Sequence, residues 1–319
     1  MNKDVGWKSF FEDNRRYADM INGAACGGMQ YVKPDDLQEV DSASKGKARD
    51  LVRKTAFGVN FALIGIENQE VVDYKFPLRN LHYEVNQYEK QAAEIRRKVK
   101  DLKSKPQSDA SGSNELMPGE YLYGFLKESK LYPVVTLVLY SGKDPWDGPK
   151  CLHDILDFTD IPEAIRKMTA DYAINLIDIR RLEDTSVFQT DVRYVFDFIR
   201  CAEDKQALLK LVNSEPYYRE MDEDAFEVVS MYTNSKELVG MQAYEVNGGK
   251  KDVCKAIRDL MEDSRLVGQQ EGRKQGIEQN KIENARNLLG ILSDEVIAEK
   301  IGLSLERVEE LRAEATLSK

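Results

Sequence analysis

Histidine is almost missing from this chain: His82 and His153 are the only two among 319 residues. Cysteine is nearly as scarce, and Cys26, Cys151, Cys201 and Cys254 are scattered with no C-x-x-C pair. Both shortages count against Cys/His zinc chemistry, so any metal here is expected to be hard and oxygen-bound, such as Mg²⁺ or Mn²⁺. The four thiols read as reduced core filler in a cytoplasmic protein. No apolar run approaches the ~20 residues that span a bilayer. Residues 1–6 put no apolar stretch behind a basic one, so a secretory signal is not expected. Basic excess is absent too: the formal charge is −10, which counts against a protein coated in nucleic acid. The acidity belongs to the chain as a whole and not to every part of it, because residues 75–105 carry nine Lys or Arg against four Asp or Glu.

What is present begins with Gly65-Ile66-Glu67-Asn68-Gln69, an acidic residue and an amide ending an apolar run. Residues 61–66 are expected to form a buried strand. A carboxylate at the end of such a strand is costly unless a cation or hydrogen bonds meet it. Residues 48–55 read as a second strand, with Gly58 in the connection. A hairpin turning between Gly58 and Val59 brings together residues whose numbers add to 117, which pairs Asp50 with Glu67. Cross-strand neighbours on one face have Cβ atoms ~5 Å apart, and like charges there ask for a divalent cation or a shared proton. Gln69, two residues on, shares that face. In this register Asp50, Glu67 and Gln69 make a metal-site layout. Out of it, Asp50 is an ordinary exposed strand residue.

Around this feature, residues 7–22 read as a helix ending before Gly23, 24–29 as a break, 34–37 as a turn and 38–40 as a weak strand. The hairpin covers roughly 48–56 and 61–68. Pro77 suits a first helical turn, and after it Leu78, Leu81, Val85, Tyr88, Ala92, Ile95, Val99 and Leu102 recur at spacings of three and four. That predicts an amphipathic helix of about seven turns. Its last turns carry Arg96, Arg97, Lys98, Lys100 and Lys103, which complement the negative end of the helix dipole. Residues 104–119 are polar, small and proline-bounded, hence a flexible loop. The clearest strand is 132–140. A loop at 141–149 holds Trp146, expected in the core, and a further strand fits 173–179. Helices are expected at 192–202, 205–212, 222–232 and 253–261. Gly268, Gly272 and Gly276 then recur every four residues among polar neighbours, which reads as a flexible or weakly helical connector. Helices at 282–292, 294–301 and 305–313 follow, the last with Ser304 as N-cap. The expected divisions are a core at 1–180, a helical extension at 181–265, and a connector with a C-terminal helical hairpin at 266–319.

Several short segments occur in order along most of the chain. They are Phe11-Glu12-Asp13-Asn14 with Tyr17-Ala18-Asp19-Met20-Ile21-Asn22, Arg49-Asp50-Leu51-Val52, Gly65 to Gln69, and Pro77-Leu78-Arg79-Asn80 with Tyr83. The strand 133–140 with Ser141-Gly142, then Pro145-Trp146, the glycine-spaced tail and residues 297–304 complete the set. Together they resemble the recombination-promoting nuclease/putative transposase family of bacteria, a branch of the PD-(D/E)XK nuclease superfamily. The resemblance implies an α/β fold with a restriction-endonuclease-like core, a mixed central sheet flanked by helices, and a helical C-terminal extension. The implied element order is helix–strand–strand–strand–helix–strand. It also implies a Mg²⁺-dependent endonuclease, with Mn²⁺ as a substitute, that hydrolyses DNA phosphodiester bonds in recombination or mobile-element biology.

By motif the resemblance implies Asp50, Glu67 and Gln69 as the catalytic residues, with Asp50 and Glu67 holding the metal and Asp19 on the first helix as a further candidate metal ligand that supports the site. Gln69 stands where the superfamily has lysine. An amide orients a water but brings no cation to the transition state. Arg79 and Tyr83, four apart on one helix face, are candidate grips for the scissile phosphate, with Arg96, Arg97, Lys98 and Lys100 holding the backbone further out. The structural alternative is that Arg79 and Tyr83 cap and pack the helix and the basic run is a solvated face.

Residues 293–313 have the cadence of a major-groove reader. Their charges oppose it: Asp294, Glu295, Glu299, Glu306, Glu309, Glu310 and the adjoining Glu314 outnumber Lys300, Arg307 and Arg312. Association, as in a homodimer through the C-terminal helices, is the expected use. The competing function is a catalytically weak or inactive transposase-derived protein that binds nucleic acid or assembles on it, and the glutamine at 69 keeps that alternative open.

Overall fold

The computed structural model describes residues 3–39, 51–55, 58–66, 73–104, 117–232 and 244–317. The chain forms two compact units, Met1–Cys254 and Lys255–Lys319. The first is mixed α/β. It opens with α1 (Lys3–Glu12) and α2 (Asn14–Cys26), followed by β1 (Gln38–Glu39), β2 (Leu51–Lys54) and β3 (Asn60–Ile66). Then come α3 (Phe76–Ser104), α4 (Pro118–Tyr123), β4 (Val134–Tyr140), α5 (Glu163–Arg166) and β5 (Asn175–Asp178). Helices α6 (Val192–Cys201), α7 (Lys205–Ser214) and α8 (Glu223–Ser230) complete it.

The single helix expected over 7–22 is two. Asp13 breaks it: its backbone is extended and its carboxylate accepts from Arg15 N at 2.8 Å, capping α2. Nor does α2 stop before Gly23. It runs to Cys26 and ends on left-handed Gly27. Gly23 is there for contact, since a Cβ at that position would lie 2.3 Å from the Phe188 ring.

Among the described residues, five strands form one sheet in the order β1-β2-β3-β4-β5, antiparallel from β1 to β3 and parallel from β3 to β5. In the hairpin, Leu51 faces Leu63, Val52 faces Ala62, Arg53 faces Phe61 and Lys54 faces Asn60. These numbers add to 114, so the register of 117 expected from the sequence does not hold over the described ladder. The turn is the cause. Thr55 N donates to Val59 O and Gly58 N to Thr55 O, both at 2.9 Å, with Gly58 left-handed. Val59 therefore already closes the turn and is not part of its tip. An odd offset also exchanges the faces on which side chains fall.

Strand β4 is buried on both faces, as its apolar sequence requires. On one face Val138 and Tyr140 pack with Phe76, Trp146 and Ile174, which places Trp146 in the core as expected. Helix α3 lies along β4 but turns a different stripe toward it than the apolar periodicity implied. Leu78 and Val85 are 51% and 42% exposed, whereas Asn80, Glu84 and Gln87 are buried. The reason is the backbone of β4 beyond the short β5. Tyr132 N and Val134 N donate to Gln91 Oε1 (2.7 Å) and the Tyr88 hydroxyl (3.0 Å), and Thr136 N donates to Glu84 Oε1 (3.2 Å). Buried N–H groups need acceptors, and polar side chains of α3 supply them in place of a strand.

Residues 181–254 belong to the same unit as the N-terminal helices and are not a separate extension. Helix α6 buries Val192, Val195, Phe196, Phe198 and Ile199. Phe196 meets the rings of Trp7 and Phe188 edge-on. The aromatic residues of α1 and α2 thus share one core with α6 and α8.

The second unit takes in most of α9 (Val253–Leu288), with α10 (Asp294–Ile301) and α11 (Leu305–Leu317). Where a connector was expected, α9 continues through Gly268, Gly272 and Gly276 as 36 residues of unbroken helix. Each glycine costs a helix about 1 kcal/mol relative to alanine. Flanking Gln, Glu, Arg and Lys are good helix formers, and an ion pair between Arg265 and Glu262 one turn back supports this stretch. Ala285, Leu289, Ile297, Val308 and Leu311 form the small core of the unit. Ser304 caps α11 by accepting from Arg307 N, as expected. Among the described residues, no helix is long and apolar enough to cross a membrane.

Candidate functional site

The parallel strands β3, β4 and β5 end together, with Ile66, Tyr140 and Asp178 side by side across the sheet. The carboxyl edge of parallel strands is where open α/β sheets place their ligands. Here the edge is closed on the β4 and β5 side. Arg180 Nε donates to Ser141 O and its Nη1 to Ile199 O, each at 2.8 Å, buckling both strand ends to α6. Arg181 holds the Asp178 carboxylate at 3.0 Å and donates to Lys143 O. Ser141 Oγ bonds the Tyr232 hydroxyl at 2.6 Å, which also accepts from Trp7 Nε1. Gly142 admits the Tyr140 hydroxyl where a side chain would collide with it, and that hydroxyl donates to Asp144 O. Burial, then the nearby Asp178 charge, pushes the Tyr140 phenol above its ordinary range.

Asp50, Glu67 and Gln69 lie outside the described residues. Asp50 is bonded to the first residue of β2 and Glu67 to the last residue of β3. The start of β2 and the end of β3 lie at the same end of this antiparallel pair, the end at which β4 and β5 also finish. Among the described residues, no three or more His, Cys, Asp or Glu are grouped as a metal ion requires.

Asp19 is buried, and its carboxylate is engaged by three donors: Gln189 N (2.9 Å), Thr190 N (2.8 Å) and Thr190 Oγ1 (2.6 Å). Asn22, one turn on, exchanges hydrogen bonds with the backbone of Val32. The 17–22 motif thus ties α2 to two loops. Tyr17 is wholly buried with the Arg53 guanidinium over its ring, and burial pushes its phenol far up.

On α3, Arg79 is exposed, pairs with Asp73 at 2.9 Å and covers the Phe76 ring. Tyr83 is half-buried. Arg96, Arg97, Lys98 and Lys100 are all exposed. Arg79 and Tyr83 are therefore not equivalent: one rides the helix surface, the other points inward.

Two polar constellations have no counterpart among the residues that the sequence singles out. Arg16 is buried and forms a two-point pair with Asp191 (2.9 and 2.8 Å), with Asp222 and Asp224 at 3.4 and 3.5 Å. The Tyr217 hydroxyl donates to the same Asp191. The second is on α3, where the Tyr172 hydroxyl accepts from Asn80 Nδ2 at 2.6 Å. Burial, with Glu84 beside it, pushes the Tyr172 phenol far up. A signal for this second group existed: Asn80, Glu84, Gln87 and Gln91 recur at spacings of four, three and four beside the apolar stripe. Arg16 had none, because its partners lie far along the chain.

Residues 122–222 match the family model described as "Putative transposase, YhgA-like". The matched stretch holds β4, β5, α6 and α7, and begins after Asp50, Glu67 and Gln69. No curated protein and no solved structure matches the chain.

Proposed function

We propose that this chain, whose residues 122–222 match the YhgA-like putative transposase family model, is a metal-dependent DNA endonuclease serving a mobile element or recombination. Family membership fits the mobile-element link. The observation that supports the nuclease reading is that the start of β2 and the end of β3 lie together beside the carboxyl edge of the parallel strands, and in the sequence Asp50 directly precedes the one and Glu67 directly follows the other. The order α2, β1, β2, β3, α3, β4 supports it, being the helix–strand–strand–strand–helix–strand sequence of a restriction-endonuclease-like core.

Asp50 and Glu67 would hold the ion, and their hard carboxylate oxygens suit Mg²⁺ or Mn²⁺. When bound, such an ion neutralises charge on a phosphate oxygen and acidifies a bound water. Gln69 would orient the attacking water, with exposed Arg79 as a grip on the phosphate and Arg96, Arg97, Lys98 and Lys100 on the flanking backbone, whereas the Tyr83 hydroxyl is buried and is not placed to reach a phosphate. Asp19, with three donors on its carboxylate, supports the site by holding α2 in place.

The test is supercoiled plasmid incubated with purified protein and Mg²⁺. Nicking or cutting is expected, with Asp50→Ala and Glu67→Ala at least about a hundredfold slower, as for loss of a central electrostatic group. Variants that cut like the parent would remove these residues from the site. A parent that binds DNA without cutting it would favour the non-catalytic, transposase-derived reading, for which the glutamine at 69 is the specific observation.

A further inference from the structure

Resting on the reading that this chain acts on DNA at the carboxyl edge of its sheet, we infer that α3 measures the substrate. It takes a duplex that continues for about nine base pairs or more to one side of the reacting phosphate. The first turn of α3 lies at the carboxyl edge, where Phe76 packs with Tyr140 and Trp146. From there the helix runs against the direction of β4, with Glu84 bonded at Thr136, Tyr88 at Val134 and Gln91 at Tyr132. At Gln91 it has already passed the start of that strand, so Arg96, Arg97 and Lys100 lie beyond the amino end of β4. With a rise of about 1.5 Å per residue, Arg97 is about 30 Å along the helix axis from Phe76.

The two ends share a face. At about 3.6 residues per turn, Arg79, Glu89, Ala93, Arg96, Arg97 and Lys100 fall on one stripe of the helix, and all six are exposed. Arg79 stands at the carboxyl-edge end, held by Asp73. Arg96, Arg97 and Lys100 form no ion pair among the described residues. Glu94 and Asp101 leave α3 about a quarter-turn round from the stripe, so they weaken its field without cancelling it. The stripe is not basic throughout, because Glu89 and Ala93 separate Arg79 from Arg96. Its cations are two handles and not a continuous rail.

Handles fixed about 30 Å apart by one unbroken helix suit a partner that is itself stiff. Duplex DNA is stiff, with a persistence length of about 150 base pairs. Its phosphates form ridges with grooves between them, so Glu89 need not meet one. At about 3.4 Å per phosphate along each strand, the span of α3 is about nine base pairs. An unpaired strand calls for aromatic rings on which its bases stack. The stripe carries none, since Phe76 is buried and Tyr83 and Tyr88 are turned inward. A lipid surface calls for a free apolar face beside the cations, whereas Val99 is buried among them. An endonuclease measured in this way works within continuous duplex and not at its ends.

The experiment is fluorescence anisotropy with the full chain in EDTA, so that binding is read without cleavage. The probes are labelled DNA hairpins with stems of about 6, 12 and 24 base pairs, which bracket the span of α3. An oligo(dT) and an RNA hairpin matched to the long stem complete the set. Affinity is expected to rise about tenfold or more from the short stem to the middle one, and by no more than about threefold from middle to long. Arg97→Gln with Lys100→Gln is expected to remove most of the first rise and to lower the salt slope on the long stem by about two. Arg97→Lys with Lys100→Arg is expected to keep both. Lys205→Gln with Lys210→Gln, an equal loss of exposed charge on α7, is expected to leave both unchanged. A smooth rise with no step overturns the ruler, as does a step kept by the α3 Gln variant or lost equally in the α7 variant. So does tighter binding of oligo(dT) or of the RNA hairpin, or failure to bind any stem. Plasmid cutting separates the two ideas. A length step in a chain that does not cut sinks the nuclease reading alone, whereas cutting without a length step sinks the ruler alone.

Discussion

Three donors converge on the carboxylate of Asp19, two of them backbone N–H groups that cannot turn elsewhere. Replacing it by alanine strands them, so Asp19→Ala is expected to lose about 2–4 kcal/mol in urea unfolding. Lost Mn²⁺ binding with an unchanged unfolding midpoint would instead make Asp19 a metal ligand. Arg16→Met leaves the largely buried Asp191 without its two-point partner, and a loss of about 3–5 kcal/mol is expected by the same measurement. Titration gives a further expectation. Burial pushes the phenols of Tyr17, Tyr172, Tyr217 and Tyr218 far above their ordinary value. The folded chain therefore keeps protons that the unfolded chain gives up near pH 10. Their stabilising share is full below that pH and is lost as pH rises above it. Denaturation midpoints measured from pH 8 to about pH 11 are expected to fall steeply only in the upper part of the range.

At the level of elements, α9 makes the sharpest prediction. Gly268, Gly272 and Gly276 each face open space, so alanine at any of them meets no obstacle. Because this stretch is helix, each change is expected to raise helicity by circular dichroism and to add up to about 1 kcal/mol. In a disordered connector all three would be silent. The same helix shows where sequence reading stops: local glycine cost pointed to a break, whereas the surrounding helix formers carried the turn ladder through. Strand β4 was legible as an unbroken apolar run, and helices α3, α6, α10 and α11 because apolar residues keep a helical period along them. The split at Asp13 was not, since an N-cap residue inside an apolar stretch looks like any helix-surface aspartate. The buried stripe of α3 was read from its apolar positions, but its position is set by unpaired N–H groups of β4, which only tertiary structure reveals.

Across the whole molecule, the element order was readable from the sequence, and the register of the described hairpin ladder was not. A hairpin register depends on which residue closes the turn, and a shift of three positions separates the ladder observed from the one expected. Nor could the sequence show that residues 181–254 share a core with the first two helices, because the Trp7–Phe196 contact spans most of a unit. One arrangement has a bearing on how copies of this protein behave together. The side chains of Glu84, Tyr88 and Gln91 occupy the part of β4 that β5 is too short to reach. An open stretch of sheet there would be a template for any passing extended chain. Helix α3 thus acts as a stopper against growth of the sheet from within. Glu84→Ala with Tyr88→Phe is expected to produce concentration-dependent, thioflavin-positive association while the native circular dichroism is still largely intact. Light scattering over a dilution series, compared with the parent, measures whether the stopper has been pulled.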